Sequence, residues 1–406
     1  MKRFGTRLIQ PCLPGVVALL VLALIPFETF AAAPGGEWWD SNYPYREKIT
    51  VTAGSAAVPS AYSVSVTFDH AALVAATKSQ ADGDDIRIGY WNGASWVELD
   101  RVLDFGSAWN STSTQIWFKL QAGIGASSSD DNYYVYYGNG GATNPPATPT
   151  NIFFFYDGYE SGDFSGWSGV SAGTGDSNTV VTTTVHTGTY AAEAFVDPSG
   201  SSHARVENSF TGQSGFHSTV WVYIPTTYPA ENDITVIAFY TGGWTTKVAT
   251  LAIRAPDTDM RPLLGVQTES PVLWQSGSPA LTTGAWHRLE MKVIVDPVNG
   301  RVEVWQDGVK SIDLSNVNTG TGNIDFTLEN IFWKSATTNS HTLYFDDSFD
   351  RVWVDPEPTT ALAAEEASGA GSILLVTPDA LNLTTQDAAK KALIESWGYT
   401  VVPISA

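Results

Sequence analysis

The segment His287–Val295 reads HRLEMKVIV, in which polar and apolar residues alternate from Arg288 to Val293. A period of two places successive side chains on opposite faces and is the signature of a half-buried strand. Asp296–Pro297–Val298–Asn299–Gly300 follows as a turn, and Arg301–Gln306 as the return strand, closed by the tight turn Asp307–Gly308. If Val295 faces Val302, then Val293 faces Val304, and Leu289, Met291, Val293 and Val295 share one buried face. That register sets Lys292 opposite Trp305 on the other face. The same alternation recurs in Thr219–Ile224, Lys48–Val51, Tyr62–Phe68, Asp85–Ile88, Trp96–Leu99, Gln115–Leu120 and Tyr133–Tyr137. Gly, Asn, Asp and Ser turns separate these runs, which fits antiparallel β-sandwiches. The one helix candidate before the C-terminal region is short, His70 to Lys78.

A chain of 406 residues is long enough for two or three domains. Two Pro/Thr/Ala/Gly-rich stretches, 141–150 and 356–372, read as linkers. They leave a first β-sandwich at 37–142, a second at 151–355 and a C-terminal segment at 373–406. In the last, Ser372–Thr377 and Tyr399–Ile404 read as strands around a helix capped by Thr384 or Thr385 and ending near Ser396. That β–α–β unit is expected to begin a parallel α/β domain that the sequence truncates. At the other end, Lys2, Arg3 and Arg7 precede an apolar run from Gly15 to Phe27 and the small residues Ala31–Ala33. Residues 1–33 therefore read as a signal peptide, cleaved after Ala31 for preference, and the product as secreted or displayed on a cell surface. No later segment is apolar enough to span a membrane.

The chain is acidic, with 42 Asp+Glu against 21 Lys+Arg and a net charge of −21. Such a balance repels phosphate backbones and argues against nucleic-acid binding. The one cysteine, Cys12, excludes a disulfide scaffold and a multi-cysteine metal site.

WWDSNYPYREKITV, ADGDDIRIGYWNG, QIWFKL and NYYVYYGNGGA, in that order within residues 38–142, resemble the bacterial domain of unknown function 2341. That resemblance implies a secreted, multidomain setting and no known chemistry. FFFYDGYESGDFSGW, HTGTYAAEAFV, the hairpin AWHRLEMKVIVDPVNGRVEVWQDGV and LYFDDSFDRVWV, over 153–355, resemble the concanavalin A-like lectin/glucanase superfamily of laminin G-like type. The implied fold is a two-sheet jelly roll. In those families an early Glu and a late Asp commonly hold a structural calcium. By that analogy Glu160 and Asp346 are the best matches, with Asp157 and Asp347 as helpers. Hard oxygen ligands suit Ca²⁺; the plain alternative is solvated acidic loops and turn caps.

Sugar recognition needs aromatic faces beside a few polar groups. Trp221 and Tyr223 alternate with apolar residues and point out of the core, and Trp305, Arg288, Glu290 and Lys292 occupy the outer face of the hairpin. These six form the candidate face for a polysaccharide or cell-surface glycan, with Trp244 and Trp274 as weaker candidates. The alternative is that the aromatics pack under loops or against the first block. A glycosidase would need two carboxylates about 5–10 Å apart. In the expected register, roughly 13 Å along the strand separates Glu290 from Glu303. Gly169–Gly173 matches G-x-S-x-G but lies in a polar loop rather than at a strand–helix elbow. The six histidines show no metal-ligand pairing, and Asp82, Asp84 and Asp85 read as a turn. The sequence thus points to a multidomain β-rich protein without catalysis in this region, binding carbohydrate or another extracellular ligand. An extracellular polysaccharide lyase or hydrolase and a structural adhesin are the alternatives.

Overall fold

The computed structural model describes residues 38–405, apart from 199–201, 228–232, 255–262, 270–271, 277–279, 335–338, 369–371 and 397–399. The signal-peptide expectation at 1–33 lies outside the described residues. Among them, no helix is long and apolar enough to cross a membrane.

The chain is mostly β, in two antiparallel sandwiches and a small parallel unit. The first sandwich is built from β1 (Tyr45–Thr52), β2 (Ser63–Phe68), β3 (Arg87–Trp91), β4 (Trp96–Leu99), β5 (Val102–Leu103), β6 (Thr114–Lys119) and β7 (Ser129–Tyr137). A short helix, α1 (His70–Ala75), starts at Asp69, whose carboxylate caps the amide of Ala72. Strand β7 is buried on both faces. Tyr133, Val135 and Tyr137 enter the main core with Ile49, Val51, Val66, Ile88 and Phe118. Tyr134 and Tyr136 pack outward against Trp38, Trp39, Tyr43 and Trp96.

The second sandwich follows a helical turn, α2 (Pro149–Ile152), and runs through β8 (Phe155–Asp157), β9 (Gly169–Ala172), β10 (Ser177–Val181), β11 (Ala191–Val196) and β12 (Ser202–Gln213). It continues with β13 (Gly215–Ile224), β14 (Asp233–Thr241), β15 (Thr246–Arg254), β16 (Leu263–Glu269) and β17 (Val272–Ser276). It ends with β18 (Ala285–Ile294), β19 (Gly300–Gln306), β20 (Val309–Val317), β21 (Ile324–Lys334) and β22 (His341–Val352). One sheet has the order β10-β11-β22-β13-β18-β19-β20, with β8 beside β22; the other is β17-β16-β15-β14-β21-β12-β9. Alternate residues of both inner faces make one core, including Val206, Val220, Val222, Phe239, Leu251, Leu289, Met291, Val302, Ile331 and Phe345.

Two sequence expectations are corrected. The 356–372 stretch is not simply a linker: β23 (Thr359–Leu362) and β24 (Glu366–Ala367) return to the first sandwich and pair antiparallel with β1. The second sandwich is therefore an insertion in the first. The hairpin register is also shifted by two: Val293 pairs with Val302 and Met291 with Val304. The hairpin pairing begins at Ile294–Arg301, and the backbone amide of Val295 continues the pairing of β18 with β13 by donating to Ser214 O at 2.8 Å. A shift of two preserves which residues face inward.

The C-terminal unit matches its expected order. β25 (Ser372–Thr377) and β26 (Thr400–Ser405) pair in parallel around α3 (Thr385–Ser396).

Candidate functional site

The second sandwich has two outer faces, and the first sandwich packs on one of them, that of the β13-centred sheet. Phe349 on β22 points out of the core into a cluster with Phe105, Trp117 and Phe153; its ring lies 4.5 Å from that of Phe153. Beside it Arg351, wholly buried, donates to Tyr62 Oη at 3.2 Å and to Glu357 Oε1 at 2.7 Å.

Most of the sequence-derived glycan residues fall within or beside this junction. Arg288 Nη1 donates to Asp104 of the first sandwich at 2.9 Å, and its Nε lies 3.2 Å from Glu290 Oε1. Glu290 Oε2 lies 2.9 Å from His217 Nε2, and Lys292 reaches Glu357 at 3.4 Å. Trp221 is stacked on His186 with ring centres 3.8 Å apart. A Cβ on Gly106 of the first sandwich would stand 3.3 Å from the Trp221 ring. The alternative considered for these aromatics, packing against the first block, describes Trp221. Trp305 donates to Glu303 at 2.9 Å and has the Lys292 ammonium 4.8 Å from its ring centre. Tyr223 stays half-buried beyond the junction, between Trp286 and Tyr344.

Electrostatics explain why this network stays charged. Arg288 beside Glu290 holds that carboxyl far below its usual range, overcoming the opposing effect of burial. Arg351 does the same to Glu357, lowered to about 2. Burial lowers His217 to about 3, so its imidazole is neutral. The revised register places Glu303 opposite Lys292, diagonal to Glu290, at about 7–8 Å between backbone positions. The strand-distance argument against a carboxylate pair therefore fails. The pair is instead taken up by cations: Glu290 by Arg288, and Glu303 by Arg301 at 2.5 Å and Lys310 at 2.7 Å.

The opposite outer face belongs to the sheet containing β12, β21, β14 and β15. Because Ala204 and Val206 point into the core, His203, Arg205 and Glu207 point out. Trp244, in the β14–β15 turn, is 43% exposed and was a weaker candidate in the sequence. Its ring is stacked on Phe326 at 5.8 Å and meets Tyr240 edge-on at 6.1 Å. The Arg205 guanidinium lies 4.2 Å from its ring centre and bonds Glu207 at 3.1 Å. His203 Nε2 is 2.9 Å from Ser171 Oγ; burial, then Arg205, lowers its pKa. Ala238, Tyr240, Phe326 and Leu328 form a buried apolar cluster on this face. Strand register sets position 274 opposite position 267 on this sheet, but the side chain of Trp274 lies outside the described residues. The sequence signal for Arg205 and Glu207 is the alternation HARVE, which does not mark a site by itself because charged residues at strand surfaces are common.

The acidic ends of the second sandwich meet around one loop. Glu160 Oε1 accepts the amides of Thr189 and Tyr190 at 2.8 and 2.9 Å. Asp346 Oδ2 accepts those of His186 and Thr187 at 2.8 and 3.2 Å, and Asp347 accepts from the Thr187 hydroxyl at 2.8 Å. Burial and the Asp347 charge push Asp346 up to about 8. Asp157 caps the amide of Tyr159 at 2.7 Å, and burial raises its carboxyl. As placed, no three His, Cys, Asp or Glu side chains among the described residues form a group able to hold a metal ion. Glu160, Asp346, Asp347 and Asp157 each accept hydrogen bonds from loop or turn groups.

The fold is similar to several solved structures. An endo-β-1,4-glucuronan lyase from Trichoderma reesei matches with 15% identity and a TM-score of 0.42, over 51% of this chain and 98% of that one. The cellulose-induced protein Cip1 matches with 19% identity and a TM-score of 0.38, over 48% and 96%. The alginate lyase vAL-1 from Chlorella virus matches with 12% identity and a TM-score of 0.35, over 46% and 93%. No curated protein sequence matches the chain. Residues 159–348, the second sandwich nearly end to end, match the polysaccharide lyase family model.

Proposed function

We propose that the second sandwich acts on an extracellular polysaccharide laid across the outer face of its β14/β21 sheet. One observation carries this reading: Trp244, 43% exposed and braced by Phe326 and Arg205, stands on the face opposite the one the first sandwich covers. An exposed indole offers its face to sugar C–H groups, and a guanidinium beside it can pair with a uronate carboxylate. The match of residues 159–348 to polysaccharide lyases favours a uronate-containing polymer and eliminative cleavage over binding alone.

In such a cleavage a base removes the proton on the carbon next to the carboxyl group, the glycosidic C–O bond on the adjoining carbon breaks to leave an unsaturated sugar end, and the departing oxygen takes up a proton from the protonated base or from water. Arg205 is the candidate for neutralising the carboxyl group. His203, two residues along the same strand and favoured in its neutral form, is the candidate base. Tyr223, Arg288, Glu290, Lys292, Trp221 and Trp305 then serve the junction and its margin rather than the ligand. A structural calcium at Glu160 and Asp346, with Asp347 and Asp157 beside them, belongs to the same reading; their shared loop and the raised Asp346 carboxyl support it. EGTA should lower the melting temperature, and an unchanged melt removes the calcium.

The functional test incubates the protein with neutral and uronate-containing polymers and follows both retardation in polymer-loaded gels and the ultraviolet absorbance of unsaturated ends. Unsaturated product lost in Arg205→Ala and His203→Ala supports the lyase. Retardation lost in Trp244→Ala, without product, supports a binding module. Neither signal on any polymer overturns the proposal.

A further inference from the structure

The core between the two sheets of the second sandwich is not wholly apolar. From the β21 side, Asn208, Thr327 and Glu329 point inward; from the β13 side, Ser218, Ser348 and Asp350 do. Thr327, Glu329, Ser218, Ser348 and Asp350 have no solvent exposure, and Asn208 has 8%. Register holds them together: Asn208 pairs with Thr327, Ser218 pairs with Asp350, and Ser348 lies opposite Asp157 on β8. Asp350 and Ser348 reach the core because a bulge at Asp346–Asp347, with Asp347 at φ 45°, switches the inward parity of β22.

Glu329 is held from across the sandwich by Ser218 Oγ at 2.9 Å and by the hydroxyl of Ser348. Asp350 is different. Ser218 and Asn208 face it, yet neither of its oxygens has a hydrogen-bond partner of bonding geometry, and nor does the hydroxyl of Thr327. The principal groups acting on the two carboxyls are Ser218, Ser348, Asn208, one another and Asp157; no lysine, arginine or histidine is among them. Two wholly buried carboxyls without a cation, one with both oxygens unpartnered, are a costly arrangement in a protein core. Of the other buried carboxylates of this sandwich, Glu290 and Glu303 have basic partners, Asp347 meets the His186 imidazole, and Asp157 and Asp346 accept backbone amides.

We propose that Glu329 and Asp350 form an internal site for a hard divalent cation of the calcium class, completed by neutral oxygens of Ser218, Ser348, Thr327 and Asn208. The donor set is all oxygen, with two carboxylates to balance a charge of two, which is the chemistry calcium selects. It is separate from the surface loop that Glu160 and Asp346 cap, and independent of whether the sandwich cleaves, binds or ignores polysaccharide. An ion there would tie the two sheets together at a point where apolar packing is missing.

The test is metal content per folded chain after equilibration with calcium and gel filtration, with terbium luminescence as a second measure. Asp350→Asn and Glu329→Gln, both nearly isosteric, should each lose one calcium equivalent relative to the wild type and narrow the gap between melts in calcium and in EGTA. Glu160→Gln should retain that equivalent. If the carboxyl variants do not fold, Ser218→Ala removes one ligand only and should weaken calcium binding several-fold. Wild-type protein without calcium, or an Asp350→Asn protein with undiminished calcium, overturns the proposal.

Discussion

The two outer faces of the second sandwich carry the same kinds of residue and do opposite things. On the β13 sheet, Arg288, Glu290, Lys292, Arg351 and Trp221 are tied to one another and to the first sandwich through Asp104, Tyr62 and Gly106. On the β14 sheet, Arg205, Glu207 and Trp244 make a comparable set of an arginine, a carboxylate and an indole, but the indole remains open to solvent. Outward parity along a strand says that a side chain leaves the core. It does not say whether water or another sandwich waits there.

The largest expected effect breaks the covered face. Phe349→Ala removes a ring packed on Phe153, Trp117 and Phe105. It should cost about 3–5 kcal/mol in denaturant unfolding, the usual range for a buried phenylalanine. Polymer retardation by the protein that remains folded should be unchanged. A loss below about 1 kcal/mol would mean the two sandwiches are not joined there.

Next comes the return strand. Ala361 lies opposite Thr50 on β1, and Ala363 N donates to Lys48 O at 2.9 Å two residues along. Ala361→Pro removes a ladder donor and should cost about 1–3 kcal/mol, whereas a true linker would tolerate the change. A melt within about 0.5 kcal/mol of wild type would return residues 356–372 to the status of a linker.

Acid should weaken the covered face through two of its groups. Glu357, lowered to about 2 by Arg351, contributes stability that is full above the ordinary carboxylate pKa and lost as pH falls through that value toward 2. His217, lowered by burial to about 3, is neutral when folded and protonated when unfolded between its ordinary value and 3, so falling pH again favours unfolding. The contribution of these two groups should therefore decline from about pH 6.5 downward, opposed by Asp346, whose carboxyl is raised to about 8 and so favours the folded chain as pH falls through that value. Glu357→Gln should flatten the lower part of the profile of melting temperature against pH; an identical slope in the variant would detach the effect from this junction.

The sequence made the strands legible because alternation is local. Leu289, Met291 and Val293 face the core as their parity requires, whichever register the hairpin adopts. The register itself was not legible. It goes with a contact some twenty-five residues downstream, where the Thr319 hydroxyl donates to Ile294 O at 2.7 Å and accepts the amide of Asp296 at 2.9 Å at the start of the turn. The return of Thr359–Leu362 to β1 was hidden for a related reason: PEPTTAL has linker composition, and only the unpaired edge of β1 makes a strand of it. Asp350 was visible as part of an acidic run, but its inward direction follows from the bulge at Asp347. Trp244 carried no periodic signal at all, since it sits in a turn.

The smallest effect on stability is the most telling for function. Trp221 and Trp244 are both indoles beside a cation or imidazole, one under the first sandwich and one in solvent. Trp244→Ala removes mostly exposed surface and should change stability by about 0.5 kcal/mol or less. It should weaken polymer retention by roughly tenfold, the size of one lost stacking contact. Trp221→Ala should do the reverse, lowering the melting temperature while leaving retention intact in the folded fraction. The two variants differ in which face is disturbed, so a crossed result separates the faces without reference to the polymer's identity. If Trp221→Ala abolishes retention and Trp244→Ala does not, the ligand lies at the margin of the junction, near Tyr223 and Trp286, and the two faces exchange roles.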